Sequence, residues 1–146
     1  MVMTGSAQID AERAFARSRR SRRRAALARW LRREPAGRGQ LPVYGQRAVK
    51  RVHAQRSRGI REIPLEAICG TLEPSRARLF DRYFRPAAIA RRRWEGLWVA
   101  EQRGAALPPI SVVAVGELYA IRDGHHRVSV ARARGAVTID ASVDAL

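Results

Sequence analysis

Cysteine is nearly absent: of 146 residues only Cys69 carries a thiol. A single cysteine excludes an intramolecular disulfide and any paired-cysteine redox or zinc motif, and it suits a reducing compartment. Acidic residues are scarce too, 13 Asp and Glu against 29 Lys and Arg. Lysine is scarcer still, since Lys50 is the only one; a GC-rich coding bias would explain arginine over lysine but not the excess of positive charge. No apolar run approaches the roughly 18–20 residues of a membrane span, and the N-terminus lacks the unbroken apolar stretch of a secretory signal. The expectation is a cytoplasmic chain with no membrane partner, although an Arg-rich, acid-poor start also fits an organellar transit peptide.

What is present in excess is positive charge, a formal +16 with a pI near 11.7. That exceeds what solubility needs and points to an anionic partner. Residues 1–59 hold 16 Arg and Lys against Asp10, Glu12 and Glu34, a net +13; residues 60–146 hold 13 Arg against 10 acids, a net +3. The length suits one domain with a modest core. The division of charge suggests a basic arm over 1–59 followed by a compact domain over 60–146.

Residues 9–33, rich in Ala, Arg and Leu with no Gly or Pro, predict a helix. Ala26, Leu27, Trp30 and Leu31 have the spacing of a buried stripe, while the run RSRRSRRR at 17–24 has no apolar face and must be solvated or phosphate-bound. Arg17, Arg19, Arg20, Arg22, Arg23 and Arg24 are therefore the candidate nucleic-acid contacts, of a kind that grips phosphate without reading sequence. From Glu34 to Gly59 the scattered glycines and prolines read as a flexible linker.

The domain opens with a short strand at Ile60–Leu65, ended by Pro64 and followed by a helical turn through Ile68. Residues 75–85 read as a connection anchored by Leu79, Phe80, Tyr83 and Phe84. A helix over 86–103, from Pro86 to Gly104, turns Ala90, Trp94, Leu97 and Trp98 inward and Arg91, Arg92 and Arg93 outward. Two tryptophans on one stripe read as core rather than as a platform for stacking bases. Strands at 109–115 and 118–121, a helix at 125–134 closed by Gly135, and a strand at 137–143 complete the order.

Between the second of these strands and the helix lies Asp123-Gly124-His125-His126-Arg127. A strand that turns at a glycine into a helix leaves free N–H groups and the positive end of the helix dipole at the turn, an anion site by construction. Asp123 can cap the helix, Gly124 lets a phosphate approach the backbone, and His125, His126 and Arg127 can reach its oxygens. The competing reading is a polar turn with locally bonded histidines. No metal is expected: adjacent helical histidines diverge by about 100°, and His53 and Cys69 lie in a linker and an apolar turn. A Cys–His nucleophile fails for the same reason, with Cys69 reading as a small apolar residue.

The stretch from Leu107 to Val143, with its paired prolines, strands, DGHHR box and closing strand, resembles the ParB/sulfiredoxin superfamily, and Ile63–Ile68 resembles that family's opening strand and turn. The likeness covers residues 60–146 and implies a small α+β domain, a mixed sheet with packed helices, here preceded by a basic N-terminal helix. Partition proteins of this family carry Gly-Glu-Arg-Arg in the box and bind nucleotide phosphates; Gly124 and Arg127 match, His125 and His126 do not, which sets cytidine-triphosphate specificity aside. Sulfiredoxins carry Gly-Cys-His-Arg, and His125 takes the place of their catalytic cysteine. Free-serine kinases of this fold resemble the box most closely and need an acidic base near the first strand, for which Glu66 and Glu73 are the candidates. Partition proteins continue into a DNA-binding domain, whereas this sequence ends at Leu146, so a complete partition protein is not expected.

Three functions follow. The first is a domain that binds nucleotide, with or without Mg2+, or nucleic-acid phosphate at residues 123–127, helped by nonspecific nucleic-acid contacts of the basic helix. The second is a nucleotide-dependent kinase of a small hydroxyl substrate, with Glu73 or Glu66 as base. The third is a noncatalytic module whose basic helix docks on an acidic protein. A nuclease has no acidic metal cluster to support it.

Overall fold

The structure, a computed structural model, describes residues 4–45 and 57–145. Lys50, His53 and the middle of the expected linker lie outside the described residues. The chain forms helix α1 (Thr4–Leu31), strand β1 (Ser57–Pro64), strand β2 (Ile68–Thr71), a one-turn helix α2 (Pro74–Ala77), helix α3 (Arg91–Gln102), strands β3 (Ile110–Val115) and β4 (Leu118–Asp123), helix α4 (His125–Ala133) and strand β5 (Thr138–Ala145). The strands make one five-stranded sheet in the order β1-β5-β3-β4-β2. β1 with β5 and β3 with β4 are antiparallel, while β3 with β5 and β4 with β2 are parallel. The expected α+β class with a mixed sheet is the one observed.

Alternation along the strands sorts residues to two faces. Val112 and Ile121 join the main core with Trp94, Trp98, Val128 and Val130 from the helices, whereas Val113 and Ala120 form a smaller cluster with Leu72. Tyr44 packs on that second cluster because residues 42–45 run beside β2: Tyr44 N–H donates to Thr71 O at 2.8 Å, and Thr71 N–H donates to Pro42 O at 2.9 Å. Gly70 permits this approach, since a Cβ there would lie 2.6 Å from Pro42 O. Part of the expected linker is thus joined to the sheet. The Tyr44 hydroxyl lies 3.1 Å from Cys69 Sγ, so the half-buried thiol is hydrogen-bonded rather than simply apolar, and this bond pushes the tyrosine pKa up to about 12.

α1 corrects the sequence reading twice. It is not a free arm: Ala7, Ala11, Ala14 and Phe15 are buried, and Phe15 meets the Trp94 ring edge-on at 5.5 Å. Arg19 and Arg22 donate to the carbonyls of Pro86 and Arg85, and Asp10 accepts from Gln102 at 2.9 Å. Conversely, the stripe expected inside is outside: Ala26, Leu27, Trp30 and Leu31 are exposed, Trp30 by 73%. No helix among the described residues is long and apolar enough to cross a membrane.

α3 buries Ala90, Trp94 and Trp98 as its spacing predicts, with Arg91, Arg92 and Arg93 exposed; its first turn is a 3-10 turn at Ala88–Ala90 rather than a helix from Pro86. Arg134 at the end of α4 lies 3.9 Å over the Trp98 ring, bonds Trp98 O at 2.6 Å and pairs with Glu101. These contacts fix α4, and so the turn before it, against α3.

Candidate anion site at the start of α4

β4 ends at Asp123, in the sheet interior between β3 and β2, and the chain turns at Gly124 into α4. Gly124 is itself the N-cap, with φ 118° in the left-handed region. A Cβ there would overlap Ile110 Cγ2 and approach Ile110 Cβ to 2.7 Å, so both conformation and space call for glycine. No side chain caps the helix, which corrects the expectation for Asp123. Its carboxylate, 73% exposed, pairs instead with Arg127 Nη2 at 3.3 Å. The first N–H groups of α4 therefore keep their capacity to bind an anion.

The two histidines, expected either to reach phosphate oxygens or to bond locally, are packed into the fold. Both are buried, His125 by 96%. His125 stacks on Phe80 at 6.4 Å and His126 meets the same ring edge-on at 5.1 Å. The Thr71 hydroxyl donates to Ile121 O and accepts from Glu73 N–H; its Oγ1 also lies 2.6 Å from His125 Nε2, which makes Nε2 the protonated nitrogen of a neutral ring. Burial, reinforced by nearby Arg76 for His125 and Arg93 for His126, pushes both pKa values down to about 4. At neutral pH they offer shape and a hydrogen bond but no charge.

Arg127 is also committed. Its Nη1 donates to Pro108 O at 2.6 Å and Pro109 O at 3.0 Å, fastening the β3 approach to the helix start. The available charge comes from two residues that the sequence reading did not connect with this turn. Arg76 of α2 and Arg93 of α3 line a small cavity of about 40 Å³ with residues 123–127. Neither guanidinium has a hydrogen-bond or salt-bridge partner among the described residues. Arg93 had been read only as part of an outward basic run; nothing local marks Arg76.

The other predicted residues divide. Glu73 is the N-cap of α2, exposed and bonded through its N–H to the hydroxyl that meets His125. Glu66 lies in the 3-10 turn after β1, where its charge acts on Arg132 at the far part of α4. On α1, Arg17, Arg20, Arg23 and Arg24 are exposed, and Arg19 and Arg22 are half-buried and tied to backbone. No cluster of three or more metal-binding side chains occurs among the described residues.

No protein-family model matches this chain, and no curated protein matches it. Among solved structures it is similar to sulfiredoxin from Arabidopsis thaliana, at TM-score 0.40 and 26% identity, over 57% of this chain and 82% of that one. The α+β class stated above rests on the strands and helices themselves.

Proposed function

We propose that the chain binds the phosphate of a nucleotide or nucleic acid at the turn that opens α4, with nonspecific nucleic-acid contact along the exposed arginines of α1. The observation that carries this is convergence: uncapped N–H groups of α4, and the unpaired Arg76 and Arg93, meet at one small cavity. A volume of about 40 Å³ suits a single phosphoryl group, so base and sugar would lie outside, over the exposed rim. Mg2+, if it takes part, arrives with the nucleotide and meets Asp123, the only carboxylate lining the cavity among the described residues. Duplex phosphates suit Arg17, Arg20, Arg23 and Arg24, which need no base contact to bind.

The test is a thermal-shift series on the full chain with nucleoside di- and triphosphates, with and without magnesium, repeated with Arg93→Gln. Arg93 is preferred to Arg127 because Arg127 also holds the Pro108 and Pro109 carbonyls. A shift produced by nucleotide and lost in Arg93→Gln supports the site; no shift with any nucleotide removes it and leaves α1 as the surface for an acidic partner.

A second reading, phosphoryl transfer to a small hydroxyl substrate, is favoured by Glu73 alone, which stands exposed beside the Thr71–His125 pair. The substrate oxygen would attack the terminal phosphorus, Glu73 would take its proton, and the nucleoside diphosphate would leave. Turnover unaffected by Glu73→Gln would eliminate it.

A further inference from the structure

A second recess lies between α1 and the C-terminal half of α4, away from the turn just described. It encloses about 290 Å³ and is lined by Arg17, Ser18 and Ser21 of α1, Ser129 and Arg132 of α4, and Arg85 of the loop between them. Three guanidinium groups from three separate segments thus share one cavity with three serine hydroxyls.

Two of the three arginines are held in place by the fold. Arg85 Nε pairs with buried Asp81 at 2.7 Å, and its Nη1 donates to Ser21 Oγ at 3.1 Å. Arg132 Nη2 donates to Leu65 O at 2.9 Å, its guanidinium lies 5.7 Å over the Phe84 ring, and its Nε is buried with no partner. Ser129 Oγ accepts from Trp94 Nε1 at 2.8 Å, which leaves its own proton to donate. Arg17 is exposed with no bonded partner among the described residues. Asp81 neutralises one of the three charges, since it pairs with Arg85 and accepts from the N–H groups of Tyr83 and Arg85; Glu66 acts on Arg132 only from an exposed turn. The negative end of the α4 dipole opposes an anion here, but the two remaining guanidinium charges exceed the half charge it represents.

We infer that this recess binds a small-molecule phosphate monoester. A monoester presents three terminal oxygens and close to two negative charges, which suits donors arriving from three directions; an internal phosphodiester has one charge and two free oxygens. The cavity exceeds what a lone phosphate fills. Ala14 and Ala133 supply apolar wall, and the exposed Tyr83 ring, with Arg85 5.2 Å above it, stands at the rim for a compact organic part. This goes beyond the turn at residues 123–127 and does not depend on it.

The test is calorimetric titration of the full chain, at constant ionic strength, with glycerol 3-phosphate, inorganic phosphate and an oligothymidylate lacking terminal phosphates, for the native protein and for Arg17→Gln, Ser18→Ala and Arg93→Gln. Arg17 and Ser18 have no side-chain partners among the described residues, so neither change should impair folding. The expected result is monoester binding tighter than inorganic phosphate, weakened about tenfold by Arg17→Gln, weakened less by Ser18→Ala and unchanged in Arg93→Gln. Equal binding of inorganic phosphate, displacement of the monoester by the oligonucleotide, or binding unchanged in both α1 variants would overturn it. Binding lost only in Arg93→Gln would also overturn it while leaving the turn site standing.

Discussion

The two halves of α1 carry apolar residues at nearly the same spacing and meet opposite fates. Ala7, Ala11, Ala14 and Phe15 are buried; Ala26, Leu27, Trp30 and Leu31 are exposed. The difference lies in what stands opposite. The first half faces α3, whose Trp94 receives Phe15, and small alanines let the two helices approach closely. The second half extends beyond α3 and is held through arginines on the loop carbonyls at residues 85 and 86. An amphipathic pattern proposes a buried face, and only a partner surface makes it one.

The sharpest way to break this comparison is Phe15→Ala, which should cost about 3–5 kcal/mol and lower the denaturation midpoint of the whole chain; a loss confined to α1 helicity would mean that the two halves behave alike. The same result explains why deleting residues 1–59 is a poor test of nucleic-acid binding, since it removes part of the core.

Acid provides the next effect, and it separates the α1–α3 contact from the α4 turn by sign. His125 and His126 have folded pKa values near 4, below the unfolded value of 6.5. The stability they confer is complete above pH 6.5 and is lost as pH falls toward 4, about 2 kcal/mol for each histidine by pH 5. Glu95, buried on α3 with Oε2 unpartnered, has a raised pKa, mainly from burial, and acts oppositely. Its contribution is greatest below the unfolded value of 4.5 and declines as pH rises toward its folded value. Chemical denaturation of the native chain should therefore weaken between pH 6.5 and 5, and an unchanged midpoint over that interval would show the histidines to be solvated.

Replacing Arg20, Arg23 and Arg24 together with Gln should leave the melting temperature within a degree or two while reducing the slope of log affinity for duplex DNA against log salt by up to about 3. An unaltered salt slope would remove the exposed half of α1 from nucleic-acid binding. Glu95→Gln should stabilise the α1–α3 contact at neutral pH by roughly 1 kcal/mol, readable as a higher urea midpoint. The smallest effect belongs to Trp30→Ser, within about 0.5 kcal/mol; a larger loss would show that the exposed half of α1 is covered after all.

Much of the C-terminal half was legible because the apolar run of β3, the alternation in β5 and glycine punctuation at Gly116, Gly124 and Gly135 are local signals. β2 was missed: Ile68-Cys69-Gly70-Thr71 is four residues with a glycine inside, and it is a strand only because β4 runs beside it. The strand-glycine-helix geometry of the turn was legible, but the surroundings of its side chains were not. The histidines are neutral because Phe80 and Thr71 enclose them, and the charge comes from Arg76 and Arg93 on separate elements. Convergence of distant residues leaves no mark on any short stretch of sequence.

The anchoring of α1 also bears on the order in which the chain can mature. Asp10 finds Gln102 across 92 positions, and Arg19 finds Pro86 across 67. During synthesis from the N-terminus, this basic segment is therefore made well before the residues that become its partners. For that interval its arginines lack the carbonyls of residues 85 and 86, so the lasting position of the helix waits on a loop made 63 to 67 residues later.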